Sequence, residues 1–142
     1  MGISVSKYTF ADAMREYLNK RKKKVAKALL YVGSEAVDEQ RDAHKYKDRT
    51  GNLTSSIGCV AVMDGKVVGA SDFESVKDGI DGGAQGQTFA QELADDTQEG
   101  VSLIVVAGMP YAKYVNDRGY DALDTAQLVA EKKIGKILSK IK

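Results

Sequence analysis

The feature that most constrains this chain is an unbroken helical period across its first third. Phe10, Met14, Tyr17, Leu18, Val25, Leu29, Val32 and Ala36, continued by Ala43, recur at the spacing that lines up one face of an α-helix. Thr9 is placed to cap the helix, with Asp12 three residues on in a weakened capping-box arrangement. No proline interrupts the row, and its first glycine is Gly33, where a bend or break is expected. A helix over residues 10–46 would be roughly 55 Å long at about 1.5 Å per residue. One domain of 142 residues does not need such a rod for its own core. Part of it is therefore expected to project or to pack on a neighbour.

Beyond residue 50 the pattern changes. Leu53 and Ile57 suit a single helical turn, and two β-rich runs, residues 59–63 and 66–70, flank Asp64-Gly65, a two-residue hairpin signal. Residues 71–88 are polar, acidic and rich in glycine (Gly79, Gly82, Gly83, Gly86), which predicts a flexible loop. Residues 88–94 then read as a short helix with Phe89 and Leu93 on one face. The β-branched run at 100–108 predicts a buried strand. Pro110 suits the first turn of a helix that turns Tyr111, Tyr114 and Val115 to the core and ends at Gly119. Leu123, Ala126, Ala130, Ile134, Ile137 and Ile141 mark a last helix with lysines on its far side. The expectation is one α+β domain: a long N-terminal helix (residues 1–48), a sheet-containing core (49–122) and a C-terminal helix (123–142). A small antiparallel sheet with a β-hairpin would carry the helices packed on one face.

Charge is distributed unevenly along the chain. Residues 1–49 hold twelve lysines and arginines against seven acids, residues 64–100 hold nine acids against two bases, and residues 101–142 are again basic. If folding keeps this separation, a basic flank on one copy can meet an acidic flank on the next. No apolar run approaches the roughly 20 residues that cross a bilayer, so the chain is expected to be soluble and made in the cytoplasm. Gly2 with Ser6 fits a loose myristoylation pattern.

Residues suited to catalysis are sparse. His44 is the single histidine and Cys59 the single cysteine, with nothing in the sequence to join them; a solvent-facing His44 and an inert, packed Cys59 are expected. The segment GGAQGQT at 82–88 has Gln87 where a phosphate-binding loop needs lysine. Asp78 and Asp81 lack the ligand spacing of a calcium loop and are read as a solvated turn or a subunit or partner contact. No cofactor, metal site or enzymatic activity is expected. Lys20, Arg21, Lys22, Lys23 and Lys24 form a basic run that either faces DNA or is the solvated part of the long helix.

Two segments carry a resemblance. RTGNLTSSIG at 49–58 supplies Thr50, Gly51, Leu53, Ser56 and Ile57, and VVAGMPYAKYVNDRG at 105–119 supplies Gly108, Tyr111, Ala112, Tyr114, Val115 and Gly119. In this order, after a long N-terminal helix, they resemble the head-tail joining, or tail-completion, family of long-tailed bacteriophages and prophages. Asn116 stands where the family usually has glutamate, and residues 119–123 depart from the aromatic-proline ending of many relatives. The resemblance implies a non-enzymatic virion protein of the neck, made in a bacterial host. It would form a homo-oligomeric ring between the DNA-filled head and the tail, contacting portal-adaptor and tail proteins. A tail-terminator ring and a small DNA-binding accessory protein are the alternatives.

Overall fold

The apolar period of the first third does form a single helix. In the computed structural model, which describes residues 10–140, α1 (Phe10–Ala43) runs 34 residues without a break, roughly 51 Å at about 1.5 Å per residue. It stops at Ala43 rather than residue 46, and Ala43, expected on the apolar row, is exposed. Gly33 does not interrupt it. A Cβ at Gly33 would stand 2.6 Å from Leu103 Cδ1 and 2.8 Å from Cys59 Sγ, so glycine stands where the helix packs closely on the sheet. The expected cap Thr9, the Gly2 pattern and Ile141 lie outside the described residues.

Three strands, β1 (Ile57–Met63), β2 (Lys66–Ala70) and β3 (Val101–Ala107), form an antiparallel sheet in the order β2-β1-β3. The β1–β2 turn is the anticipated hairpin, with Asp64 and Gly65 both at positive φ, 52° and 84°, as a type I′ turn demands. Side chains alternate across the central strand. Ile57 and Cys59 point to α1, packing with Val37, Leu30, Leu103 and Val105; Val60 and Val62 point the other way, to Phe73, Ala90 and Ala94.

Helices cover the first of these faces as expected: α5 (Asp124–Leu138) lies beside α1, with Ala126 and Ala130 against Val32 and Ala36. The Lys133 ammonium joins it to the Glu35 carboxylate of α1. A third helix, α3 (Ile80–Asp95), supplies Ala90 and Ala94 to the opposite face, so helices pack on both faces rather than on the one expected, and the sheet is a middle layer.

The position of α3 corrects the flexible acidic loop expected over residues 71–88. Residues 80–88 are its first half, and residues 71–79, though irregular, are tied down. The Cys59 amide donates to Ser71 Oγ at 2.9 Å and the Val76 amide to Ser55 Oγ at 2.9 Å, while Phe73 is buried. The glycines that signalled a loop serve close packing instead. A Cβ at Gly82 would stand 2.0 Å from the Asn52 carbonyl oxygen, and one at Gly86 would stand 2.5 Å from that of Ser56. Among the described residues no helix is long and apolar enough to cross a membrane.

Candidate functional site

The first resembling segment is an elbow between α1 and the sheet. Gly51 turns the chain at φ 84°, where a Cβ would stand 2.0 Å from the Val76 carbonyl oxygen. The short α2 (Asn52–Ser55) then starts with unpaired amides, as every helix does. Thr50 Oγ1 accepts from the Asn52 amide at 3.2 Å and Asp48 Oδ2 from that of Thr54 at 3.3 Å, while the N-cap position itself is Gly51, which has no side chain to offer. Leu53 is buried with Tyr46, Ala112 and Ala122. Tyr46 shares a 2.8 Å hydrogen bond with Thr54 Oγ1, and burial pushes its phenol up to about 12.

The second segment closes on the first. The Gly108 amide is shared by the Ser56 carbonyl oxygen and Ser56 Oγ, both at 3.1 Å, while the Ser56 hydroxyl donates to the Leu53 carbonyl at 2.7 Å. Ala112 and Val115, on the single turn α4 (Ala112–Val115), pack into the Leu53 cluster. Tyr111 and Tyr114, expected to face the core, do not: they are 44% and 60% exposed. A one-turn helix has few inward positions, and Ala112 and Val115 hold them. The Arg118 guanidinium lies 4.4 Å over the Tyr114 ring. Gly119 closes the looser turn Asn116–Tyr120 at φ 84°.

Two polar residues matter more than the sequence indicated. Asn116 Oδ1 accepts from the Ala122 and Leu123 amides at 3.0 and 2.9 Å, and its Nδ2 donates to Asp124 at 3.1 Å, capping the entry to α5. Gln40 is wholly buried at the end of α1 and bonded to Asp121 and Ala126. It sits at a helical position next to the apolar row, which is the one signal that could have found it. His44 is half-buried rather than solvent-facing; its ring stacks on Tyr46 at 4.3 Å and Nδ1 donates to the Arg41 carbonyl.

At the opposite end of the sheet α1 runs past the strands. Lys22 reaches the hairpin turn, its ammonium 3.0 Å from Asp64 Oδ1. Hydrogen bonds from the Gly100 amide and from Lys22 hold the Asp64 carboxyl below its usual range. Lys20, Lys23 and Lys24 are exposed, and Arg21 bonds back to Tyr17 Oη at 3.3 Å. Asp78 and Asp81 are exposed beside and within the first turn of α3, far in sequence from the basic run and not brought to it within one chain.

A groove of about 510 Å³ separates α3 from residues 107–113, lined by Ala84, Thr88, Phe89, Met109 and Pro110 and by two charged residues, Glu92 and Lys113. Among the described residues no cluster of His, Cys, Asp or Glu could hold a metal ion. Comparison of the chain with protein-family models, curated proteins and solved structures gave no match.

Proposed function

We propose that this protein is a structural component of the phage head-tail connector, a neck or tail-completion protein that assembles with its own copies into a ring and carries out no chemistry. One observation carries the reading. The two segments that resemble the tail-completion family, about fifty residues apart in the chain, form one joint through the shared Gly108 amide and the Leu53–Ala112 packing. That joint fixes the end of a helix whose other end extends past the sheet. Heterologous contacts between identical chains close into a ring when their rotation closes, and a protruding arm offers a surface for one.

Buried polar side chains fit a structural role. Gln40, Thr54, Ser55 and Ser56 are all engaged in hydrogen bonds to backbone or neighbouring side chains. A second reading, a small DNA-binding accessory protein, draws on the exposure of Lys20, Lys23 and Lys24.

Native mass spectrometry of the purified chain, alone and with duplex DNA at near-physiological ionic strength, separates them. A closed oligomer indifferent to DNA is the expected result. A monomer that takes up DNA, with an affinity that falls steeply with salt, would replace the ring by the accessory protein.

A further inference from the structure

We infer that the projecting end of α1 on one copy lies in the groove between α3 and residues 107–113 of the next copy. This deepens the ring reading and rests on it.

The first reason is an apolar stripe that outruns its own core. Met14, Tyr17 and Leu18 are 41%, 53% and 49% exposed, yet they continue the row that buries Leu29, Val32 and Ala36. Lys22 is level with the hairpin turn through Asp64, so residues 10–21 extend about 18 Å beyond it at 1.5 Å per residue. Anchors at i, i+3 and i+4 on a protruding amphipathic helix are the form in which a helix enters an apolar groove.

The second reason is where the groove lies. The tip stands at the Asp64–Gly100 end of the sheet, where the Asp64 amide bonds the Gly100 carbonyl at 2.8 Å. The groove stands at the Ser56–Gly108 end. The seven residues of β3 hold these ends apart by about 23 Å at roughly 3.3 Å per residue, so a chain cannot fill its own groove. A contact between unlike surfaces of identical chains is heterologous and repeats head to tail.

Charge selects the occupant. Residues 10–27 carry seven basic and two acidic side chains, whereas residues 78–99 carry six acidic and no basic ones. All six acids are exposed. Glu92 lines the groove, and Asp81 lies at i−3, i−4 and i−7 from the lining residues Ala84, Gln85 and Thr88 on the same helix. A basic arm meeting the acidic α3 side of this groove, across from Lys113 on the other wall, has the complementarity that steers and registers a protein contact.

The test uses two charge reversals in the full chain: Lys20→Glu, Lys23→Glu and Lys24→Glu in the arm, and Asp81→Lys and Glu92→Lys on the α3 side of the groove. Circular dichroism first checks that each variant folds, and sedimentation velocity then measures association. Either reversal alone should lower association at least about tenfold, as like charges meet. Mixing the two variants, or combining both reversals in one chain, should restore it. Wild-type assembly by either single-site variant would overturn this contact while leaving a ring built through another surface. A wild-type chain that stays monomeric and ignores DNA would also overturn it, without touching the neck reading. Duplex DNA binding by a monomer, lost on reversing the arm, would assign the arm to DNA and overturn both.

Discussion

Gln40 grips Asp121 across the end of α1: its Nε2 donates to the Asp121 carbonyl at 2.7 Å and to Asp121 Oδ1 at 3.0 Å, while its Oε1 accepts from the Ala126 amide at 2.7 Å. One buried amide thus holds the first turn of α5 against the long helix. Gln40→Leu keeps the volume and strands the Ala126 amide and the Asp121 carbonyl. An unmet buried polar group costs about 1–3 kcal/mol, so the variant should lose roughly 2–4 kcal/mol in urea denaturation. A loss below about 0.5 kcal/mol, the usual limit for surface changes, would show that the bonds are replaced by water.

Asp121 also makes this joint sensitive to acid. Burial works to raise its carboxyl, but the Thr125 hydroxyl and amide and the Gln40 amide outweigh burial and hold it below its usual value. A group depressed in the folded state stabilises the fold above its unfolded value, about 3.9 for aspartate, and that contribution is lost as pH falls through the folded value. Stability should therefore drop below about pH 4. Thr125→Val removes the hydroxyl donor, so it should be less stable than wild type at neutral pH and lose less on acidification. Parallel curves of urea midpoint against pH for the two proteins would exclude Thr125 as the cause.

What the sequence conveyed and what it hid follow from the same physics. Long periodic elements were legible, because the Leu29–Val32–Ala36 stripe and the Leu123–Ala126–Ala130 stripe each repeat over several turns, and Asp64-Gly65 has few uses besides a hairpin. The start of α3 was not, because Gly82 and Gly86 look the same whether they loosen a loop or let two backbones touch. Tyr111 and Tyr114 misled by size: large apolar bodies suggest a core, but Tyr111 precedes α4 and the inward positions of that short helix go to Ala112 and Val115. Gln40 and Asn116 were invisible as anchors, since their partners lie 81 residues ahead for Gln40 and past a turn for Asn116. The turn marked by Leu53 and Ile57 was legible from their spacing, and its union with Gly108 became apparent only in three dimensions.

The glycines of the helices should respond to alanine with opposite signs. Alanine in a helix interior normally gains about 1 kcal/mol over glycine. At Gly135, where no atom lies within 4 Å of the added Cβ, Gly135→Ala should raise the melting temperature. At Gly82 the same Cβ would strike the backbone of α2, with the Asn52 oxygen at 2.0 Å. Overpacking costs about 1–3 kcal/mol, so Gly82→Ala should be net destabilising. Thermal melts of both variants decide it, and a stabilised Gly82→Ala would mean that α3 does not sit on the elbow this closely.

Cys59 reports on the seam between α1 and the sheet. It is wholly buried, and burial first of all pushes its thiol up, against smaller contributions from Ser71 and Ser34. Only the thiolate reacts, so a disulfide reagent at about pH 8 should leave the native protein unlabelled and modify one thiol once it is denatured. Labelling of the native state must then wait for α1 to lift locally from the strand. Gly33→Ala would place a Cβ 2.8 Å from Cys59 Sγ and 2.6 Å from Leu103 Cδ1, loosening that seam by overpacking. A cost of about 1–3 kcal/mol corresponds to native labelling roughly tenfold faster or more. An unchanged rate would mean that the reagent reaches the thiol from the β2 side, without α1 moving at all.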